Sequence, residues 1–348
     1  MSEVDDLVHR ADLDGLVRLV DTFCVNADWP SLLELRDSSR AAVITGRQLW
    51  PAATLAEYRL ALWAPAEWAT QVLDEDSGRF TIGPLTEVVA QHHQFGDLRS
   101  ALPDGPRVGF IAHECALRRQ VLPDDLANPL EIPFGMQPWE PQYCLAEYSD
   151  DGLSAPAPQL PGVSEFVRMR SDGGEVVDDP DVSLAVRQLI EPWITSSNGH
   201  VEIVAVEGSP AAAVAALGVA SGRLAKIASS EAMAWMAWAG ASGGAHGRRR
   251  GAAIGRFGAW WTVAALADIA DHWPVDPDEV GDALAALEWY WWDSGEPRLG
   301  WELQLAIADP TEGYAWAIGA HDAARLGENW RMTEVRDAPD WNGLAPSD

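Results

Sequence analysis

Arg249, Arg256 and Trp260 are the side chains whose types and spacing could do chemistry. If residues 248–270 form one helix at about 100° per residue, these three share a face with Ala253. Two guanidinium groups then flank a methyl-sized gap, with an indole one turn further along. Guanidinium groups grip carboxylate or phosphate through two parallel N–H bonds, and an indole face stacks on a flat ligand. His246 and Arg248 would stand at the N-terminal end of that helix, beside the Gly-rich turn 240–247. A helix N-terminus is positive, and such a turn offers backbone N–H donors. This arrangement would hold an anion with a flat or apolar part.

The setting sharpens the point. From Ala232 to Ala267 the chain runs 36 residues without an acid, although Asp and Glu make up 53 of its 348 residues. A cationic island in a chain of formal charge −29 marks an anion-binding site or an internal ion-pair hub. In the second case the arginines pair with the chain's own carboxylates and fasten neighbouring segments together. A solvated turn is the third reading.

Other chemistry is weakly signalled. There is no Gly-x-x-x-x-Gly-Lys-Ser/Thr, Gly-x-Ser-x-Gly or Cys-x-x-Cys. His113-Glu114 lacks the second histidine of a zinc helix, because Leu117 stands there. His92, His93, His113, Glu114 and Cys115 could gather on a metal only if they converged, and the histidines read instead as surface or helix-terminal residues. Ser229-Ser-Glu231 reads as a helix start, where Ser and Glu satisfy open N–H groups. No catalytic set is assigned, and neither a metal nor a cofactor is expected.

The elements that must position these residues follow from the hydrophobic pattern. The reading is α+β and mostly helical, with residues 1–128 forming an α-helical repeat region. Its two diverged copies, 11–64 and 83–128, match at Leu16–Val20 with Leu85–Val89 and at Trp29–Leu32 with Phe95–Leu98. A third match sets Arg40–Ile44 against Arg107–Ile111 (offset about 67 residues). Residues 129–162 form a Pro-rich connector, with seven prolines between Pro129 and Pro161. Proline fixes its own φ and disfavours helix in the residue before it.

An α+β domain follows over 163–322, and 323–348 is a tail. Strands are expected over 165–170 and 201–206, and helices over 181–195, from Pro210, over 230–239, 248–270 and 277–287. An antiparallel meander closes the domain. Trp289 and Trp291, then Leu303, Leu305 and Ile307, then Trp316 and Ile318 alternate onto one face. The helix 248–270 is the expected cover. Its stripe Gly247, Gly251, Gly255, Gly258 and Thr262 costs helix propensity, so it should admit another backbone at close range.

Composition limits the partners. Eleven of the 18 tryptophans fall between Trp235 and Trp330, where packing is their first use. The acidic balance argues against nucleic acid, whose phosphates need a cationic face. Cys24, Cys115 and Cys144 are few and scattered, as in a reduced compartment. The start Met-Ser-Glu-Val-Asp-Asp lacks the basic and apolar regions of a signal peptide. No apolar run is long enough for a membrane span.

The runs Phe110–Leu117, Ser242–Gly251 and Arg256–Trp261 resemble segments of an actinobacterial family of acidic, Trp-rich proteins of unknown function. That resemblance implies no fold, cofactor or reaction. The functional expectation is a cytoplasmic interaction protein, immunity- or inhibitor-like, whose acidic surface docks a basic protein. The alternative is an enzyme or sensor holding a phosphate or carboxylate small molecule at Arg249, Arg256, Trp260, His246 and Arg248.

Overall fold

A computed structural model describes residues 2–323, apart from 75–76, 104, 124, 171–172, 220 and 298–299. Apart from its first residue, the tail expected over 323–348 lies outside the described residues. Contacts divide the described chain into two units, one of residues 2–129 and 147–154, the other of 130–146 and 155–323.

The first unit carries α1 (Glu3–Arg10), α2 (Leu13–Val25), α3 (Trp29–Ile44), α4 (Trp50–Trp63), α5 (Ala66–Ala69), α6 (Leu85–His92), α7 (Phe95–Ala101) and α8 (Pro106–Leu117). No strand lies among its described residues up to 128. Several acids here are helix starts: Asp12 accepts from the Gly15 N–H at 2.9 Å and Asp28 from Ser31 at 3.3 Å. Each fills one of the open donors of a first turn. Helix α4 is buried nearly all round, with Ala52, Ala56, Leu60, Ala61 and Leu62 inaccessible or almost so. A helix apolar on every side belongs at a core centre; α2, α3 and α6 pack around it. The third repeat match sets the end of α3 against the start of α8, so these two blocks occupy different places in their helices. A short hairpin, β1 (Glu147–Ser149) and β2 (Gly152–Ser154), completes the unit.

The second unit is built on one antiparallel sheet. In chain order it contains β3 (Val167–Arg168), β4 (Gly174–Val177), α9 (Pro180–Leu189), α10 (Glu191–Thr195), β5 (His200–Gly208), α11 (Pro210–Ala216) and β6 (Arg223–Ile227). Then come α12 (Ser229–Ala241), α13 (Ala252–Leu266), α14 (Pro277–Ala286), β7 (Glu288–Asp293), β8 (Trp301–Asp309) and β9 (Tyr314–Asp322). The strand order is β3-β6-β7-β8-β9-β5-β4. The expected meander forms in the expected register, with Trp291 opposite Leu305, Leu305 opposite Ile318 and Ile307 opposite Trp316. Strands β4 and β6 were outside the sequence expectation, being short and carrying Glu175, Arg223 and Lys226.

The cover differs from expectation. The Trp289 face of the sheet packs against α12, α9 and α10, while α13 packs on α12 and α9 as an outer layer. Two indoles make the junction, with Trp235 of α12 and Trp291 of β7 having ring centres 4.5 Å apart. The opposite face buries Trp292, Ala306, Ala308, Ala315 and Ala317 beneath α11. Trp316 donates to Asp179 Oδ2 at 2.7 Å, and Asp179 Oδ1 caps α9 through the Val182 N–H at 3.1 Å. One carboxylate thus starts a helix and orients a core indole. Among the described residues no helix is long and apolar enough to cross a membrane.

Residues 155–163 have almost no regular structure, and Val163 is 80% exposed. Limited proteolysis with a broad-specificity protease should make its first cut there, inside the Pro-rich connector. A first cut within β5–β9, identified by mass spectrometry, would refute that expectation.

Candidate functional site

The helix expected over 248–270 begins at Ala252 and ends at Leu266. Gly251, at φ 98°, explains the start. That left-handed conformation interrupts a helix and is open to glycine at little cost. At the other end Asp268 takes φ 55° and its N–H returns to the Ala265 carbonyl at 3.2 Å. Arg249 therefore lies before the helix and does not share a helical face with Arg256 and Trp260. It is 7% exposed, whereas Arg248 and His246 are exposed.

Arg256 and Trp260 do share a face, and it is covered. Both are buried, while Ile254, Phe257 and Trp261, expected as the core side of this helix, are only half-buried. The reason is the connector segment 130–146. Glu140 meets Arg256 with 2.9 Å between Nη2 and Oε1, both side chains fully inaccessible. Arg256 Nε adds bonds of 3.1 Å to both carboxylate oxygens, and the Trp260 indole donates to Oε1 at 2.5 Å. The remaining guanidinium protons go to the carbonyls of Pro133 at 2.7 Å and Gly135 at 3.2 Å. Trp139 lies on Trp260, ring centres 4.7 Å apart. Burial pushes the Glu140 carboxyl above its ordinary range, and the Arg256 charge and its hydrogen bonds pull the other way.

The other island residues are also engaged internally. Arg250 donates to the Gly240 carbonyl at 2.9 Å, to Gln188 at 3.1 Å and to Leu189, closing the C-terminal ends of α12 and α9. In the Gly-rich turn the Ala245 N–H donates to buried Asp322 Oδ2 at 2.6 Å, and the His246 N–H to Ser197 Oγ at 2.9 Å. A side chain on Gly244 (φ 72°) would place its Cβ 2.0 Å from Asp322 Oδ2. The turn does cradle a carboxylate, one belonging to the last residue of β9.

Two further groupings carry polar side chains, and the first lay outside the sequence reading. A cavity of about 340 Å³ is lined by Lys226, Ser229, Leu287, Glu288 and Trp289, among others. Its Lys226 ammonium meets Glu288 at 2.9 Å, and the Tyr290 hydroxyl donates to the same carboxylate at 2.7 Å. These two bonds hold Glu288 below its usual range; burial, with Glu288 beside it, pushes Tyr290 up to about 12. The signal available was that Lys226 is the chain's sole lysine.

The second grouping is polar and lies in the first unit, where His113, expected at the surface or a helix end, is wholly buried inside α8. His113 Nε2 sits 2.9 Å from Asn128 Oδ1, and burial pushes the neighbouring Cys115 thiol up to about 12. Glu114 faces Arg118 at 3.4 Å. Among the described residues no three His, Cys, Asp or Glu side chains gather as a metal set. Ser229 opens α12, where Glu231 accepts from the Ala228 N–H at 2.7 Å, in a helix-start role.

A family model described as "Family of unknown function (DUF6183)" matches residues 14–324. The chain belongs to that family. The DUF6183 match spans the helical unit, the sheet and the Arg256 cluster alike, so the cluster lies within the family region. No curated protein and no solved structure matches the chain.

Proposed function

We propose that this DUF6183 protein is a cytoplasmic interaction protein, immunity- or inhibitor-like, that docks a basic protein partner on its acidic surface. We read the family as actinobacterial, acidic and Trp-rich throughout. The observation that carries the reading is the Arg256–Glu140 pair, which satisfies the island's central guanidinium from within. An anion site would need that group held open. With Arg250 spent on helix-end carbonyls, the surplus charge left to act on a partner is negative. On α1–α3 alone, Glu3, Asp5, Asp14, Asp21, Glu34 and Asp37 are exposed. Such a surface steers a cationic partner and raises its association rate, more strongly at low salt.

Two thermal measurements test this. Melting temperature should rise as salt increases from low values to about 0.1 M, where the screening length falls to about 10 Å and repulsion among carboxylates weakens. Phosphate or citrate should stabilise the wild type and the Arg249→Gln, Arg256→Gln double variant by the same increment over sodium chloride, the increment of a salt excluded from the surface. An anion-specific rise, abolished by Arg249→Gln with Arg256→Gln in a folded protein, would overturn the proposal. It would favour an enzyme or sensor that binds its ligand at Arg249, Arg256, Trp260, His246 and Arg248.

A further inference from the structure

The β1–β2 hairpin is held in the manner of a bound peptide. Residues on either side of it, 130–146 and 155 onward, belong to the other unit. Among the described residues after 129, the eight of 147–154 enter the helical unit, and three of them are gripped. The Tyr148 side chain is 3% exposed, and its hydroxyl donates to Glu87 at 2.6 Å; Glu87 is itself wholly buried. Gly83 makes room for the phenol, since a Cβ there would lie 2.1 Å from its oxygen.

The main chain is read next. Gln91 accepts from the Tyr148 N–H at 2.7 Å and donates to the Tyr148 carbonyl at 2.9 Å, pairing as a strand neighbour would. Its amide also donates to His92 Nε2 at 2.8 Å, which fixes its orientation. Tyr58 donates to the Ser149 carbonyl at 2.7 Å. Asp150 is the third anchor. Its carboxylate accepts from the Trp63 indole at 2.7 Å and pairs with Arg59, whose side chain is 12% exposed.

We propose that the α4–α6 surface, formed by Tyr58, Arg59, Trp63, Glu87 and Gln91, is a receptor for a linear peptide bearing Tyr-x-Asp, and that Tyr148–Asp150 is its ligand in cis. The contacts address one phenol, one carboxylate and the backbone between them. The helices touch Ser149, at the middle position, only through its carbonyl, and its hydroxyl turns back to the Gly152 carbonyl at 3.4 Å, so the motif is read at two side chains, Tyr148 and Asp150. Any partner segment with that motif can satisfy the same groups. A tethered ligand competes at an effective concentration of about millimolar for a short linker, which sets the threshold for displacement. This surface meets the acidic face proposed above only at Asp21, 4.0 Å from Arg59; it does not rest on that proposal, and either can fail alone.

The test uses the full chain with Tyr148→Ala and Asp150→Ala to empty the surface. A fluorescein-labelled heptapeptide, Ala-Ala-Tyr-Ser-Asp-Ala-Ala, should then bind saturably by fluorescence anisotropy, at least about tenfold more tightly than to the wild type. Replacing the peptide's Tyr by Phe should weaken binding by about tenfold or more, because buried Glu87 loses its donor; replacing its Asp by Asn should weaken it by about two- to fivefold, because Asp150 is exposed and Arg59 keeps Asp21 at 4.0 Å. Gln91→Ala in the emptied chain should weaken it as much as the Phe replacement does. Absence of saturable binding to a folded, emptied chain would overturn the proposal, as would binding indifferent to Tyr and Asp. Should the emptied chain fail to fold, hydrogen exchange of the wild type decides. Excess peptide should speed exchange of the 147–154 amides, and unchanged rates would overturn the proposal.

Discussion

Glu140→Ala should destabilise the second unit by about 3–5 kcal/mol, the cost of leaving a buried charge without its partner. For a unit of this size that corresponds to a fall of roughly 10 °C in melting temperature. The loss is large because arginine stays charged inside the protein, its pKa being above 12. Arg256→Met should cost less than Glu140→Ala. The stranded Glu140 can take up a proton, and burial already favours its neutral form. The sign of the pH effect follows. A carboxyl raised in the folded state contributes stability below its unfolded value of about 4.3 and loses it as pH rises through the folded value. The stability deficit of Arg256→Met relative to wild type should therefore be smaller at acidic pH than at neutral pH. Glu140→Leu combined with Arg256→Met should recover most of the loss. Denaturant unfolding of these variants decides the matter; a Glu140→Ala loss under about 1 kcal/mol would mean the pair does not hold the connector segment to α13.

Gly255 is the second position where a single atom should matter. A Cβ there would stand 2.1 Å from the Ala237 carbonyl oxygen and 2.7 Å from the Ala241 nitrogen, both backbone atoms of α12. Backbone cannot swing aside as a side-chain tip can, so the two helices must separate. Ordinary alanine substitution in a helix gains about 1 kcal/mol over glycine. Gly255→Ala should lose about 1–3 kcal/mol in spite of that gain, as overpacked cores do, and Gly255→Leu should not fold. Gly96 in α7 is the control, because nothing lies within 4 Å of its would-be Cβ. Gly96→Ala should be neutral or stabilising by up to about 1 kcal/mol. Equal effects at the two sites in thermal unfolding would refute the close-approach account.

Gly255 also marks what a sequence can reveal. The stripe of small residues was legible because glycine at helical spacing has a local cost that only a near neighbour offsets. Gly255 meets α12, and Gly258 meets Leu189 of α9. The alternating faces of β7, β8 and β9 were legible for a similar reason, since a period of two is written directly into the residues. The acid-free window contains Arg256, whose guanidinium meets the Glu140 carboxylate. Its partner was hidden: Glu140 lies 116 residues before Arg256, in a Pro-rich segment with no periodicity to place it. Arg249 was misplaced because one residue, Gly251 at φ 98°, starts the helix later than hydrophobic spacing suggests. The contacts that hold the β1–β2 hairpin were hidden as Glu140 was, since two of them come from Glu87 and Gln91, 61 and 57 residues from Tyr148.

The strand order of the sheet also governs how the protein can be made. The edge pairs, β4 with β5 and β3 with β6, are synthesised early, and the strands that join them, β7, β8 and β9, come last. On a ribosome both margins emerge before any of the strands that lie between them in the sheet. Unit two therefore assembles after residue 322 has left the tunnel, in one late event that brings distant segments together. Topologies with such long-range pairings fold slowly, and their unpaired margins are exposed while they wait. The charged side chains on those margins, Glu175, Glu202 and Glu207 on one side and Arg168, Arg223 and Lys226 on the other, would then keep the like margins of two nascent chains from pairing before their own centre arrives.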